Sequence, residues 1–234
     1  MKKGDLRKKE IISAAEAMFC KYGYEQTSIQ DILDQLNISK GSFYHHFISK
    51  ESLLSAICRE RAEDIFAAVS ESVSDTMSAA DKLHVFLSGM IPFQEEKLSF
   101  LLMLLPVFRL PEGRMVRMSY CEALSDLFKN DVVYQLQQGN QNGEFICPYA
   151  EPAADLLLSV INRLWVQICN RMITAEEKND ALDLSDLLQL TDCYRLMIER
   201  MLLLPFGSVK LIDIPTIGYL ADQIHVHWKP IQQI

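Results

Sequence analysis

Side chains that could bind nucleic acid are concentrated between residues 27 and 50. The run from residue 39 to residue 46 combines Lys40, a tyrosine and two histidines with small Ser and Gly residues. Lysines and hydroxyls hydrogen-bond to phosphates, and such side chains also read base edges in the major groove. Gly41 is unfavourable inside a helix, and a close approach of the backbone to DNA is a reason for its presence. The pattern predicts duplex DNA as a partner.

A helix and a turn are predicted to precede this run. Apolar residues recur at helical spacing from Leu6 to Tyr22, and Gly23 follows where a left-handed cap is needed. Thr27 with Gln30 forms a capping-box pattern that opens a second helix, which ends near residue 36.

Asn37 suits a left-handed turn, and Ser39 can cap a third helix from Lys40 to about Phe47. Two short helices joined by a tight turn, with another helix before them, describe a helix-turn-helix unit whose last helix enters the major groove.

The sequence in this region resembles the DNA-binding signature of the TetR family. The resemblance covers residues 11–54, and its quoted motifs are Thr27-Ser28-Ile29, Asn37-Ile38-Ser39-Lys40-Gly41-Ser42-Phe43-Tyr44-His45-His46-Phe47 and Ser49-Lys50-Glu51-Ser52-Leu53. It implies that Thr27, Tyr44 and Lys50 hold phosphates, that Lys40, Ser42 and His45 face bases, that His46 lies near the DNA backbone, and that Phe43 and Phe47 are core. Two residues depart from the family pattern: Leu33 replaces a small Ala, and Asn37 replaces a Gly.

Helical periodicity continues through the rest of the chain and predicts an all-α protein. Further helices are expected at 50–75, 81–97, 98–108, 112–139, 151–172 and 184–204, with a turn-rich break at 138–145. We expect a helix-turn-helix domain in residues 1–50, a ligand-binding and dimerisation domain in 51–204, and a C-terminal tail in 205–234 that packs on the sensory domain.

The last two long helices carry more apolar positions than one core contact needs, which is typical of a partner surface. In the TetR family this pair forms a four-helix bundle with its copy, so the resemblance implies a homodimer; a wholly intramolecular core is the alternative. The predicted interface residues are Leu157, Ile161, Leu164, Ile168, Leu187, Tyr194, Met197, Ile198 and Met201.

Phe and Met residues are frequent in the middle helices and would suit a cavity for a small, largely apolar ligand. Taken singly, the same residues are more often simple core, and the family resemblance is what favours a ligand site. The predicted lining is Phe66, Phe86, Met90, Phe93, Phe100, Met103, Phe108, Met118, Cys121 and Trp165.

Charge is distributed unevenly along the 234 residues. Residues 1–50 hold eight Lys and Arg against six Asp and Glu, a formal charge of +2, whereas the remainder holds 15 against 25, a charge of −10. The net charge of −8 therefore does not exclude DNA binding by the basic N-terminal part.

Other classes of function find little support in the sequence. The six cysteines form no C-x-x-C pair and suit reduced thiols, His225 and His227 have no evident third ligand, and familiar catalytic motifs are missing. We expect no enzyme activity, cofactor or metal, and a cytoplasmic protein without a membrane span. The expected function is that of a DNA-binding regulator that leaves a palindromic operator when a ligand binds. We expect a repressor, because repression is the commoner behaviour in the family that the sequence resembles. The alternative is a helical protein-binding module with an inactive helix-turn-helix.

Overall fold

A computed structural model of the chain describes residues 3–93, 95–111, 113–212, 215–216 and 218–219. Within these ranges the regular secondary structure is entirely α-helical, which confirms the predicted fold class. The helices are α1 (Lys3–Tyr22), α2 (Ile29–Leu36), α3 (Lys40–Tyr44), α4 (Lys50–Ser72), α5 (Ala79–Gly89), α6 (Glu95–Val107), α7 (Gly113–Gln141), α8 (Ala150–Lys178) and α9 (Leu184–Leu202). His225 and His227, for which no metal site is expected, lie outside the described residues.

The start of α2 differs from its predicted capping. Ser28 is the N-cap: its hydroxyl accepts a hydrogen bond from the Asp31 N–H, and the Asp31 carboxylate accepts one from the Ser28 N–H at 2.7 Å. This capping box is one residue later than the predicted Thr27–Gln30 pair, because the Thr27 hydroxyl instead donates to the Gly23 carbonyl at 2.9 Å. Gln30 bonds to Asp34.

The turn between α2 and α3 agrees with the sequence prediction. Asn37 ends α2 in the left-handed region with φ 50°, and Ser39 caps α3 by accepting from the Ser42 N–H. The third helix is shorter than predicted, since its helical geometry ends at Tyr44 and His45 is the cap.

The described residues form two compact units. The described residues of 1–62 group with those of 99–123, whereas those of 63–98 group with those of 124–234. The first thirteen residues of α4, Lys50–Ala62, thus belong to the unit that carries the helix-turn-helix.

In the first unit, α1 packs on α2 through a core that includes Ile11, Ala15, Phe19 and Ile32. Glu16 of α1 and Arg61 of α4 form two hydrogen bonds of 2.5 Å each. This bidentate ion pair fixes α1 against α4 and holds the helix-turn-helix on a long helix.

In the second unit, loops and helix ends are held by side chains. Glu144, in the loop before α8, accepts hydrogen bonds from the N–H groups of Ala79 and Ala80 and so caps α5. A buried polar chain joins α7 to α8: the Trp165 indole N–H donates to Asn162, whose amide donates to Ser125.

The end of α9 has an unusual residue at its left-handed cap. Leu203 has φ 53°, and 65% of its surface is exposed. Glycine is the usual residue at this position because a Cβ is unfavourable in the left-handed region. The chain continues to Val209 and Leu211, which are buried.

Candidate nucleic-acid interface

Helix α3 exposes polar side chains on one face and anchors them by aromatic residues on the other. Phe43 is fully buried and packs on Phe47 with ring centroids 5.7 Å apart, as expected for core residues. Lys40, Tyr44 and His45 are exposed, and 52% of the Tyr44 surface is accessible. The buried anchor therefore holds three side chains outward that can hydrogen-bond to phosphates or bases.

The two serines of the helix differ in accessibility. Ser39 is exposed, but its hydroxyl accepts the Ser42 N–H at 3.2 Å. Ser42 is half-buried. Ser39 therefore caps the start of α3. The Ser42 side chain is partly accessible within the helix.

Gly41 is not required by packing inside the protein. A Cβ built on this residue would have Ser39 Oγ, at 3.8 Å, as its nearest described neighbour. Gly89 and Gly113 are different. A Cβ on Gly89 would lie 2.3 Å from a Val69 methyl, and a Cβ on Gly113 would lie 1.8 Å from the Val107 carbonyl oxygen. The lack of a side chain at Gly41, as at Gly4 and Gly218, is therefore not explained by packing inside the protein. At Gly41, which lies in α3, it is compatible with a close approach of a partner to the helix backbone.

Thr27 is buried between α1 and α2. It is 1% exposed, and its hydroxyl donates to the Gly23 carbonyl. Burial and this internal hydrogen bond favour a role in positioning the turn between α1 and α2, whereas the phosphate contact implied by the resemblance stays a prediction.

Lys50 opens α4 and is half-buried. Its ammonium lies 4.1 Å from the centroid of the Tyr24 ring, a cation–π distance. The Tyr24 hydroxyl in turn donates to Glu51 at 3.5 Å. These contacts hold the Lys50 charge at the N-terminus of α4.

His45 and His46 lie next to each other at the end of the α3 region. Their ring centroids are 4.9 Å apart, with His45 exposed and His46 half-buried. The pKa of His46 is lowered by burial and by the positive charges of His45, Lys8 and Arg7, while Asp5 acts in the opposite direction. Sequence reasoning missed Arg7 and Lys8, since their proximity to His46 depends on how α1 packs.

Most of the predicted dimer residues are not on the protomer surface. Leu157, Ile161, Leu164, Ile168, Leu187 and Ile198 are at most 1% exposed, and Tyr194 is 9% exposed. They fill the core of the second unit, so the stripe predicted from the sequence is the inward face of α8 and α9. Of the predicted set, Met197 is 54% exposed and Met201 is half-buried.

An outward apolar face exists on α9 beside the inward one. Leu190, Cys193, Met197 and Met201 recur at helical spacing; Cys193 and Met197 are exposed, and Leu190 and Met201 are half-buried. The 3.6-residue period of the sequence contains this stripe as well. Because α9 has apolar residues on both faces, the period alone does not tell which face is buried in the protomer and which is exposed.

The residues predicted to line a ligand cavity are distributed over both compact units. In the second unit, Phe66 and Phe86 lie against Phe128, at centroid distances of 5.1 and 6.2 Å. In the first unit, Phe100 packs on Tyr120. Nearly all of the set is core: Phe86, Met90, Phe93, Phe100, Met103, Phe108 and Trp165 are buried, Phe66 and Cys121 are half-buried, and Met118 is 45% exposed.

Cys121 and Trp165 have specific surroundings. Burial, as the largest effect, raises the pKa of Cys121 to about 12, so its thiol stays protonated at neutral pH. Trp165 is fully buried and donates to Asn162 at 3.0 Å. Trp165 is thus a core residue, and Cys121 is partly shielded from water.

An open groove of about 240 Å³ lies at the C-terminal end of α9. It is lined by Leu196, Glu199, Arg200, Leu203, Leu204 and Phe206. Glu199 is buried, bonded to Arg195, and accepts the Val209 N–H at 3.1 Å. The groove has none of the predicted ligand residues.

Comparison with known proteins supports the N-terminal assignment. Residues 11–57 match the family described as bacterial regulatory proteins, tetR family. The HTH-type transcriptional repressor KstR2 of Mycobacterium tuberculosis is 35% identical over 77 residues, 33% of this chain and 38% of KstR2. The chain therefore matches less than two fifths of the length of this relative.

Solved structures resemble a larger part of the chain at low identity. Salmonella enterica GusR has a TM-score of 0.52 and 20% identity, with 86% of this chain and 98% of that chain covered. A protein from Saccharomonospora viridis in complex with choline has a TM-score of 0.52 and 19% identity, with 83% and 96% covered. These similarities show a common fold. Among the helices of the described ranges, none is long and apolar enough to cross a bilayer.

Proposed function

We propose that this chain is a transcriptional repressor of the TetR family of bacterial regulatory proteins, whose model matches residues 11–57. It binds a palindromic operator as a homodimer and leaves it when a small, largely apolar ligand binds. The observation that carries the proposal is α3, whose exposed Lys40, Tyr44 and His45 stand on a buried Phe43 beside a glycine that internal packing does not require.

The DNA-binding step is tested with an unbiased pool of duplexes. We expect enrichment on the purified protein to yield a motif with twofold symmetry, whose half-sites are spaced by about one helical turn, roughly 34–36 Å, or more. Affinity for the selected site should fall steeply with added salt, because phosphate contacts release counterions. A protein that shows no salt-dependent affinity for any duplex would instead support a protein-binding module with an inactive helix-turn-helix.

The homodimer is proposed to use the outward face of α9. Leu190, Cys193, Met197 and Met201 form an apolar stripe that the described part of the protomer leaves exposed or half-buried. An apolar surface of this kind is typical of association sites. We call the helix-turn-helix domain of residues 1–50 the reading head. A homodimer has two reading heads and therefore supplies the two recognition helices that a palindromic operator needs.

The ligand is proposed to bind among the Phe and Met side chains of the middle helices. The resemblance in fold to the choline-bound protein supports a small-molecule effector in general terms. Because the candidate residues are mostly buried, ligand entry requires their rearrangement, and the ligand stabilises the arrangement it binds more tightly.

Helix α4 is the proposed route from ligand to DNA. It follows Tyr44 after a short connection and contributes Lys50–Ala62 to the first unit and Glu63–Ser72 to the second. A tilt of α4 would carry the reading head and change the separation of the two recognition helices. Spin labels on the two reading heads test this: release of DNA by ligand with an unchanged distance distribution would contradict the α4 mechanism.

A further inference from the structure

The start of α4 places a positive charge where the helix itself disfavours one. Lys50 is the first residue of α4, and Ser49 caps the helix by accepting a hydrogen bond from the Ser52 N–H at 3.1 Å. The N-terminus of a helix carries a partial positive charge, which favours anions and disfavours cations. The dipole of α4 therefore does not account for a lysine at this position.

Two aromatic rings near the end of α1 attract the Lys50 charge. The Lys50 Nζ lies 4.1 Å from the centroid of the Tyr24 ring and 5.8 Å from that of Phe19, and both distances are within the cation–π range. The two rings pack edge to face with centroids 5.1 Å apart, and Phe19 is fully buried. Tyr24 is itself 5% exposed, so the core fixes its position, whereas Lys50 is only half-buried. A fixed ring thus lies against a charge that water, and hence an anion, can reach.

The hydroxyl of Tyr24 contacts the next residue of α4. It donates a hydrogen bond to the Glu51 carboxylate at 3.5 Å. The ring face and the hydroxyl of one side chain therefore contact two successive residues of the helix. The two contacts can be separated by substitution, because phenylalanine keeps the ring and lacks the hydroxyl.

We propose that Tyr24 is a positioning residue for DNA binding, whose ring holds the Lys50 ammonium in place for a phosphate of the operator backbone. This inference rests on the proposed function. A lysine loses rotamer freedom when it binds, which lowers affinity, but a lysine held over a ring has lost part of that freedom in the free protein. The anion is a DNA phosphate because Lys50 follows α3 after a short connection within the same compact unit, and because the N-terminus of α4 attracts the same negative charge. The contact adds affinity without sequence preference, since phosphates are common to all duplexes.

The test compares Tyr24→Leu with Tyr24→Phe, each with and without the Lys50 charge. Leucine removes the ring face, whereas phenylalanine keeps it and is the matched control. Because each subunit of a dimer regains one ordering cost, we expect Y24L to weaken selected and random duplexes by the same factor, about 5- to 150-fold per folded molecule. Y24F should bind as the wild type does. Lys50→Gln should reduce the slope of log K against log salt by about 1.8 for a dimer, and Y24L should have no further effect on affinity in that background.

Fluorinated phenylalanines at position 24 keep the shape of the ring and are the test if Y24L does not fold. Fluorine withdraws negative charge from the ring face and weakens the cation–π attraction, so duplex affinity should fall stepwise with the number of fluorines. An unchanged salt slope in K50Q, an equal loss of affinity from Y24L with and without the Lys50 charge, or fluorination without effect overturns the role of Tyr24 and leaves the proposed function intact. Wild-type protein that binds no duplex with salt-dependent affinity refutes the proposed function itself, and this role of Tyr24 with it.

Discussion

Substitution of Gly41 by alanine separates the needs of the fold from those of DNA binding. In the free protein the added methyl would meet its nearest described atom, Ser39 Oγ, at 3.8 Å, which is an ordinary contact distance. Alanine is favoured over glycine in helices by about 0.5–1 kcal/mol. Because Gly41 is the second residue of a five-residue helix, we expect the variant to be as stable as the wild type or slightly more stable.

DNA binding should respond in the opposite direction. If the α3 backbone lies against the duplex at Gly41, a methyl group displaces it and removes at least one hydrogen bond, about 1–1.5 kcal/mol per recognition helix. A dimer loses this at both half-sites, about 2–3 kcal/mol in total, which corresponds to a Kd weaker by about 30- to 150-fold.

The assay is a titration of the selected operator with the Gly41→Ala variant, accompanied by a thermal melt. Gly218→Ala is the matched control, since a Cβ there has no described atom within 4 Å. Gly89→Ala is the packing control and should lower stability, because its Cβ would lie 2.3 Å from a Val69 methyl. Unchanged operator affinity in G41A would refute the close approach of the α3 backbone.

Three further outcomes are expected. Thr27→Val should lower the free energy of unfolding by about 1 kcal/mol, because the hydrogen bond to Gly23 is lost. The DNA affinity per folded molecule should stay unchanged; a smaller dependence of that affinity on salt would instead show that Thr27 contacts a phosphate. Met197→Glu should give folded monomers in sedimentation, whereas Leu164→Glu should unfold the protein because its site is fully buried; folded L164E would contradict this core. Burial raises the pKa of Glu199, but hydrogen bonds from the Val209 N–H and Arg195 outweigh it and hold the pKa below its ordinary 4.5. The ionised Glu199 carboxylate therefore stabilises the fold above pH 4.5, and this contribution is lost as the pH falls through the lowered pKa. In unfolding titrations at a series of pH values, Glu199→Gln should show a smaller loss of stability at acid pH than the wild type.

The reading head was largely predictable because its signals are local. Asn37 and Ser39 fix a turn and a cap by their own backbone and side-chain preferences, and both have the predicted conformations. Phe43 was assigned to the core through the resemblance, and it is fully buried. The capping box was displaced by one residue because Thr27 and Ser28 have equivalent hydroxyls, and only the packing against Gly23 decides between them.

The larger unit was less predictable because its decisive contacts are non-local. Leu164 and Met197 both belong to apolar helices, and a periodic pattern cannot tell which stripe meets the core of the same chain. The position of Glu144 at the start of α5 likewise depends on segments distant in sequence.

The left-handed cap at Leu203 shows that the chain has not reached its maximum stability. A residue with a Cβ is disfavoured in this conformation by about 1–2 kcal/mol, and its side chain is 65% exposed to water. Glycine would relieve the backbone and remove apolar surface in one change. For sample preparation, Leu203→Gly is therefore a first choice for a more stable and more soluble protein, since position 203 is remote in sequence from the reading head.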